Sequence, residues 1–359
     1  MRILITGAAG NLATFLARAL LESPHQLRLM THRTELAPDL RSAGSVEIVR
    51  ADLGDPATLA GVCAEVDCIV HLAGVLFAPR PASFLSFTNV TYVDNILRSA
   101  IQEGVGKFIL ISFPHVEGDT TPAHPATGRL DATPPSVHAR TRLAAERLMI
   151  ELAAGSTTTP IILRSGTIYG SGVLMIEVAR RLMHRRLLAV WREPTWYHWL
   201  ALPDFLSCVR AAIEREGVRG IYHLGDDVPL TLQDGLDRFA AHWGTAKPLR
   251  LPRWTFYAAA AAVEAFALVT GSTAPLHRDF IRIGMVSHVG DTSRMKQELL
   301  PHLAYPSLDE GISLLSPIAP PGLFRRFPNE VVVVGERHLQ EHDGGLPADA
   351  PQRVDRLLT

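Results

Sequence analysis

The sequence contains little cysteine and no surplus of positive charge. Only three cysteines occur among its 359 residues, at positions 63, 68 and 208, and none of them forms a Cys-x-x-Cys pair. This excludes a disulfide framework, disfavours a zinc ribbon and is typical of a reduced, cytoplasmic protein. The formal net charge is -1. Because a general nucleic-acid binder needs a basic surplus to neutralise phosphates, we expect no nucleic-acid partner.

A long hydrophobic run is also missing. The longest apolar stretch, Tyr257–Thr270, contains Glu264 and is shorter than the roughly 20 residues of a membrane span. It predicts either a core helix or a lid over an apolar substrate. Met1 leads directly into the apolar segment Ile3–Ile5 without a basic leader, so we expect a cytoplasmic protein with no membrane partner.

What the sequence does contain is a regular alternation of short apolar runs and helical patterns. The predicted strands are Arg2–Thr6, Gln26–Met30, Val46–Arg50, Cys68–Leu72, Lys107–Ser112 and Thr159–Arg164, with another near Ile221–Leu224. The predicted helices are Leu12–Leu21, Pro56–Val62, Phe87–Gln102 and Val137–Ala153. This alternation indicates βαβ units, and therefore an α/β fold with a Rossmann-type, doubly wound parallel sheet.

The alternation fails in two places, which suggests a second unit. It stops from about Leu174 to Leu200 and again from Thr231 onward. We therefore predict a discontinuous dinucleotide-binding domain over residues 1–173 and 199–230, and a smaller, mostly helical substrate domain over 174–198 and 231–316. Residues 317–359, with an isolated apolar run at Val331–Val334, form an appendage to which the sequence assigns no role.

A glycine-rich loop follows the first strand and opens the first helix. In this position Gly7 permits a tight turn, and Gly10 lets the backbone approach a pyrophosphate at the helix N-terminus. The strand–loop–helix context favours a dinucleotide site over a plain turn. The candidate cofactor residues of this loop are Gly7, Ala9, Gly10, Asn11 and Leu12.

The residues that close the second strand indicate which dinucleotide binds. An NAD site places Asp or Glu there for the ribose hydroxyls, whereas this chain has Thr31, His32 and Arg33. An arginine can meet a 2′-phosphate with charge-assisted hydrogen bonds. We therefore favour NADP(H) over NAD(H), with His32 and Arg33 as contacts. The alternative is that Arg33 is a solvated loop charge.

Taken in order, the motifs of the chain resemble those of the short-chain dehydrogenase/reductase superfamily, in its extended, epimerase/dehydratase-like branch. The motifs are the loop Gly7–Ala13, Asp52-Leu53, His71–Gly74, Asn89-Val90, Ile111-Ser112, Leu163–Gly170 and Gly290–Ser293. The resemblance implies an NAD(P)-dependent enzyme. It also implies cofactor contacts along the adenine, ribose and nicotinamide, at Asp52, Leu53, Leu72, Ala73, Gly74, Ser112, Arg142, Ser165 and Ile168.

The catalytic positions depart from that family's pattern. The resemblance leads us to expect Ser/Thr, Tyr and Lys, but the matching positions hold Phe113, His138 and Arg142, with Ser112 next to the first. Arginine can hold ribose hydroxyls but keeps its proton. A histidine can donate a proton near neutral pH, so His138 is a weak catalytic candidate. The alternative is that His138 only begins a helix.

Three functions fit these observations. The first is an NADPH-dependent ketoreductase that works without the Tyr/Lys pair on a ketone hydrogen-bonded by its own neighbouring hydroxyl. Polycyclic aromatic polyketides such as angucyclinones have such ketones, and the chain resembles the atypical ketoreductases of bacterial aromatic-polyketide pathways. The second is a nucleotide-sugar epimerase or dehydratase. The third is a catalytically silent NADP(H)-binding sensor.

The substrate side is rich in aromatic residues, which favours a flat aromatic ligand over an aliphatic one. Ordinary core packing is the alternative for each tryptophan. The candidate substrate residues are Phe113, His115, Tyr169, Trp191, Trp196 and Trp199.

No histidine pair has the spacing of metal ligands, so we assign no metal. The oligomeric state and the particular ketone are not predicted.

Overall fold

A computed structural model describes residues 1–74, 81–270 and 277–316. The strands are β1 (Arg2–Thr6), β2 (Gln26–Thr31), β3 (Val46–Arg50), β4 (Cys68–His71), β5 (Lys107–Ser112), β6 (Thr159–Ser165), β7 (Thr167–Tyr169), β8 (Ala189–Trp191), β9 (Trp196–Tyr197), β10 (Trp199–Ala201), β11 (Gly220–Leu224), β12 (Leu230–Thr231) and β13 (Leu249–Leu251). The helices are α1 (Asn11–Leu21), α2 (Pro38–Arg41), α3 (Pro81–Ser86), α4 (Tyr92–Gln102), α5 (Val137–Ala153), α6 (Leu174–His184), α7 (Leu202–Glu214), α8 (Leu232–His242), α9 (Arg253–Thr270), α10 (Arg278–Gly284), α11 (Ser293–Glu298) and α12 (Leu308–Gly311).

Seven parallel strands form the central sheet, in the order β11-β6-β5-β4-β1-β2-β3. The order reverses between β1 and β4, where an open α/β sheet leaves a crevice at the carboxyl ends of its strands. The register pairs Thr6 with His71 and Ser112 with Arg164. The ends of β1, β4, β5 and β6 therefore meet at one edge of the sheet, as the predicted Rossmann-type fold requires.

Both faces of the sheet are covered, because neighbouring residues of each strand point to opposite sides. Ile3 and Ile5 of β1 belong to one hydrophobic core together with residues of α1 and α7. Leu4 belongs to the other core, with residues of α4 and α5. All three side chains are fully buried, which explains why the strand is a continuous apolar run.

Most predicted elements of the sheet domain are confirmed within one or two residues. Strands Arg2–Thr6 and Lys107–Ser112 and helix Val137–Ala153 have the predicted bounds. Two helices differ. The predicted helix Pro56–Val62 is only a 3₁₀ turn over Pro56–Leu59. The helix predicted to begin at Phe87 already begins at Pro81 and contains a π-helical turn over Phe87–Thr91.

The substrate region contains more strands than the helical unit we predicted. Two short pairs, β8–β13 and β9–β12, involve this region, and a third, β7–β10, lies within the predicted dinucleotide-binding domain. Their strands are two or three residues long and carry too little periodicity to be recognised in the sequence. The two-domain division itself remains a prediction. The appendage 317–359, including Val331–Val334, lies outside the described residues.

Helix α9 corrects one expectation. Of its described side chains only Ala260 is buried, while Trp254 and Phe266 are 69% and 66% exposed. The core-helix interpretation of Tyr257–Thr270 is therefore wrong, because most of this helix faces away from the packed interior. Among the described residues, no helix is both long and apolar enough to cross a membrane.

Candidate active site

The glycine-rich loop brings two backbone segments together at the reversal point of the sheet. Gly7 has a φ of +66°, and a Cβ at this position would lie 2.7 Å from Cα of Ala73. The amide of Gly10 donates to the carbonyl of Gly7 at 2.8 Å, and α1 begins at the next residue. The N-terminus of α1 has no side-chain cap and no acidic residue in its first turn. This leaves the helix end suited to an anion such as a pyrophosphate.

The side chain of Asn11 has a different role from the predicted cofactor contact. Its Nδ2 donates to the carbonyl of Gly172 at 3.0 Å, and its Oδ1 accepts from the amide of Leu174 at the same distance. Asn11 thus fixes the loop that leads into α6. Its backbone remains in the first turn of α1, beside Leu12, with Ala9 in the preceding loop.

The predicted adenine end of the crevice lies between the ends of β2 and β3. His32 Nε2 lies 3.6 Å from Asp52 Oδ2, and Asp52 Oδ1 accepts from the amide of Gly54 at 2.8 Å. Burial, followed by the charge of Asp52, raises the pKa of Tyr92 to about 12, while Arg33 acts to lower it. His32, Arg33 and Asp52 are therefore grouped around one end of the crevice, with Leu53 buried beneath.

Arg142 lies on the ribose side of the crevice, where the resemblance leads us to expect lysine. A Cβ on Gly74 would lie 3.3 Å from its Nη2, so the guanidinium lies against the segment Leu72–Gly74. Its buried Nε has no hydrogen-bond partner among the described residues. Burial lowers the pKa of Arg142 to about 10, so the group remains charged at neutral pH. A charged guanidinium whose Nε–H is not used in another hydrogen bond is suited to bind the ribose hydroxyls of a dinucleotide.

Rings fill the positions where the family's polar catalytic groups are expected. Phe113 lies with its ring centroid 5.0 Å from that of His138 and 5.1 Å from that of His115. The guanidinium carbon of Arg142 lies 6.0 Å from the centre of the Phe113 ring. The ring centroid of His288 lies 3.8 Å from that of His115, and the ring centroid of Tyr197 lies 4.0 Å from that of His288. We call Phe113, His115, His138 and His288 the ring cluster.

The histidines of the ring cluster are uncharged at neutral pH. Burial, and then the charge of Arg142, lowers the pKa of His138 to about 3. Burial, and then His138, lowers the pKa of His115 to about 3 as well. Nδ1 of His115 and Nδ1 of His138 are buried and have no hydrogen-bond partner in the described part of the chain, whereas Nδ1 of His288 lies 3.3 Å from the carbonyl oxygen of Val286. The cluster therefore offers neutral, flat surfaces with unfilled nitrogen positions rather than an acid or a base.

Ser112, predicted to contact the cofactor, instead donates its hydroxyl to the carboxylate of Glu146. The same carboxylate binds Arg164, whose Nη2 lies 2.6 Å from Glu146 Oε2, and Arg164 also pairs with Glu117. His223 Nε2 lies 3.1 Å from Glu117. We call Glu117, Glu146, Arg164 and His223 the buried ion cluster. It lies beneath the site, at the ends of β5, β6 and β11.

The predicted nicotinamide-end residues lie where β6 ends. Ser165 donates its hydroxyl to the carbonyl of Gly166 at 3.1 Å. A Cβ on Gly166 would lie only 2.7 Å from Cβ of His198, so this glycine permits the close approach of two segments of the chain. Ile168 follows in β7, paired with Leu200.

Two predicted substrate residues belong to the interior. Tyr169 and Trp199 are almost fully buried, and both pack against Phe239, at centroid distances of 6.5 and 5.2 Å. Their predicted contact with substrate is corrected to core packing. Trp191 is also buried, and its Nε1 donates to Thr195 at 2.6 Å. Trp196 is half-buried, and its carbonyl accepts from the amide of His288, beside the ring cluster.

The sequence analysis missed the buried ion cluster and the residues that α10 contributes. Asp279 accepts from the amides of Val137 and His138, at 3.0 and 3.4 Å, and so fastens α10 to the start of α5. No spacing rule connects segments so far apart along the chain. A signal in the sequence was Arg164, the one charged residue of the buried strand β6.

This arrangement of fold and site defines a class: a Rossmann-type enzyme with a nicotinamide dinucleotide bound across the reversal point of its sheet. Residues 3–225 match the family model described as "NAD dependent epimerase/dehydratase family". The chain belongs to this family, and its relatives include reductases, dehydrogenases, epimerases and dehydratases.

Named relatives agree with this assignment. The chain is 28% identical to 2-alkyl-3-oxoalkanoate reductase of Stenotrophomonas maltophilia, covering 69% of this chain and 77% of the relative. It is 26% identical to dTDP-glucose 4,6-dehydratase of Streptomyces antibioticus, covering 69% and 80%. The UDP-glucuronic acid 4-epimerase of Bacillus cereus, solved with UDP-glucuronic acid and NAD, superposes with a TM-score of 0.68 at 18% identity, covering 88% of this chain and 97% of that one. The last likeness concerns the fold alone.

Proposed function

We propose that this protein is an NADPH-dependent ketoreductase that acts on a polycyclic aromatic ketone of the polyketide type. The observation that carries the proposal is the ring cluster at the family's catalytic positions. Phe113 has no polar atom, and His138 is neutral and lies beside the permanently charged Arg142. No group there is suited to remove a proton from a sugar hydroxyl, which an epimerase or dehydratase must do before it transfers hydride.

Reduction makes fewer demands on the protein. When bound, the reduced nicotinamide supplies a hydride to the carbonyl carbon and is itself oxidised. The π-electron pair of the carbonyl moves to its oxygen, which takes up a proton from water or from the substrate's own hydroxyl. The protein has to hold donor and acceptor in near-attack geometry. The half-buried rings of Phe113 and His115 offer flat surfaces for an aromatic substrate.

The preference for NADPH is part of the proposal. The residues that close β2 are Thr31, His32 and Arg33, and none of them offers the carboxylate that an NAD site has at this position. His32 and Arg33 lie at that end of the crevice together with Asp52, whose carboxylate is 3.6 Å from His32. With three buried, unpaired cysteines, the protein suits a reducing compartment, and we propose that it acts in the cytoplasm.

The test is to incubate the protein with NADPH and a panel of polycyclic aromatic ketones, and to follow both the reduced-nicotinamide absorbance and the product mass. We expect absorbance to fall and a product two hydrogens heavier to form. Parallel reactions contain dTDP- and UDP-sugars with NAD. Turnover of a sugar nucleotide would replace the proposal with the epimerase/dehydratase function. Binding of NADPH without turnover of any ketone would replace it with the sensor function.

A further inference from the structure

His277 is the N-terminal cap of α10, and α10 contacts α5, the helix whose first turn carries His138 of the ring cluster. His277 is only 5% exposed. Asp279, two residues later, binds the amides of Val137 and His138 and so holds the start of α10 against the start of α5. His277 also contributes to the low pKa of His138, after burial and the charge of Arg142.

The hydrogen bonds of His277 fix which of its ring nitrogens carries the proton. The amide of Phe280 donates to Nδ1 at 3.2 Å, as the N-terminal cap of α10. A nitrogen that accepts a hydrogen bond carries no hydrogen, so in the neutral ring Nε2 is an N–H donor. This Nε2 is buried and has no hydrogen-bond partner among the described residues.

An unpartnered buried donor costs roughly 1–3 kcal/mol, so its presence calls for a bound partner. The unfilled nitrogens of His115 and His138 mark the same region as polar yet unfilled. Burial lowers the pKa of His277, although the nearby carboxylates of Asp279 and Glu264 act to raise it. The ring is therefore a neutral donor at physiological pH, and it keeps its proton.

We propose that Nε2–H of His277 donates a hydrogen bond to the ketone oxygen of the substrate, and so replaces the hydroxyl donors missing from the family's catalytic positions. This inference rests on the proposed ketoreductase function. A carbonyl oxygen has two lone pairs. One accepts from the substrate's neighbouring hydroxyl and the other from His277, which stabilises the negative charge that develops on the oxygen.

Variants that keep the cap of α10 test this role. His277→Asn and His277→Ser each place an oxygen where it can accept from Phe280, but neither reaches the position of Nε2. His277→Gln carries an amide N–H near that position. We expect the Asn and Ser variants to lose about 10²–10³-fold in kcat, as when an oxyanion donor is removed. The Gln variant is expected to keep most of kcat, and NADPH affinity is expected to be unchanged in all three.

Measurements of kcat and thermal stability distinguish a hydrogen bond from His277 to the substrate from a purely structural role of this residue. The kcat of the parent enzyme is expected to be independent of pH around neutrality, because the donor is neutral throughout. Undiminished kcat in the Asn or Ser variant would overturn the inference while leaving the ketoreductase function intact. An equal loss in the Gln variant, with lowered thermal stability in all three, would also overturn it in favour of a packing role. If the parent enzyme reduces no ketone, the proposed function fails first and this inference fails with it.

Discussion

At the scale of single residues, the site differs from its family by substitution rather than by rearrangement. Phe113, His138 and Arg142 occupy neighbouring places in the structure, as the motif match predicts. The match could not predict their state. The neutrality of His138 follows from its burial and from Arg142, and both depend on how α5 packs against the sheet.

Cofactor selection is also a residue-scale property. Arg33→Ala is expected to weaken NADPH binding by about 1.5–3 kcal/mol, the range for hydrogen bonds to a charged group, and to leave NADH binding unchanged. Fluorescence titration with both dinucleotides measures this difference. Arg41→Ala, at an arginine paired with the exposed carboxylate of Glu35, is the matched control. Tighter binding of NADH than of NADPH by the parent protein would refute the preference.

At the scale of elements, the sequence predicts the long helices and strands, which have a periodic pattern. It does not predict the shortest strands or the contacts between segments that are distant along the chain. Helix α5 has its predicted bounds because Ser136 caps it, accepting from the amide of Ala139 at 3.0 Å, and because its pattern is long. The paired strands β9 and β12 have two residues each and give no periodic signal. The position of His277 depends on α10 meeting α5, a contact between distant segments that no local pattern encodes.

The buried ion cluster connects α5, β6, β11 and the turn after β5, and removing its cation tests how much stability it contributes. Arg164→Met leaves the carboxylates of Glu117 and Glu146 buried without their cation, so we expect a loss of about 3–5 kcal/mol in the free energy of unfolding. Urea denaturation measures it. The control is Arg129→Met, which breaks a solvent-exposed pair with Asp131 and should leave the free energy of unfolding almost unchanged. Equal effects of the two substitutions would show that the cluster adds no stability.

At the scale of the whole molecule, the buried histidines make the fold sensitive to acid. Burial lowers the pKa of His71, His115 and His138 to about 3, and it also lowers those of His277 and His288. An unfolded histidine titrates near pH 6.5. Below that pH the unfolded chain takes up protons that the folded chain excludes, so stability is full above about 6.5 and falls as the pH is lowered.

Each such histidine is expected to remove about 1.4 kcal/mol per pH unit in this range. Thermal unfolding between a pH of about 7 and 5 measures the slope, where the carboxylates of the unfolded chain contribute little because they titrate near 4. Burial raises the pKa of Asp204 and Asp226 in the folded chain, and these two groups act in the opposite direction to the histidines. In the His138→Phe variant, the change in the free energy of unfolding per pH unit should be smaller by the contribution of one titrating histidine. A melting temperature independent of pH over this interval would mean that these rings are accessible to protons in the folded state.

The whole account depends on how the ketone is activated without the family's tyrosine. The most direct measurement compares kcat/KM for a polycyclic ketone with a neighbouring hydroxyl and for its methyl ether, each with the parent enzyme and with His138→Phe. The account predicts that the substitution costs less than the roughly 10²–10⁴-fold typical of a lost general acid, and that methylation costs more than the substitution does. If His138→Phe instead abolishes turnover while NADPH still binds, His138 is the proton donor and activation by the substrate's own hydroxyl is contradicted.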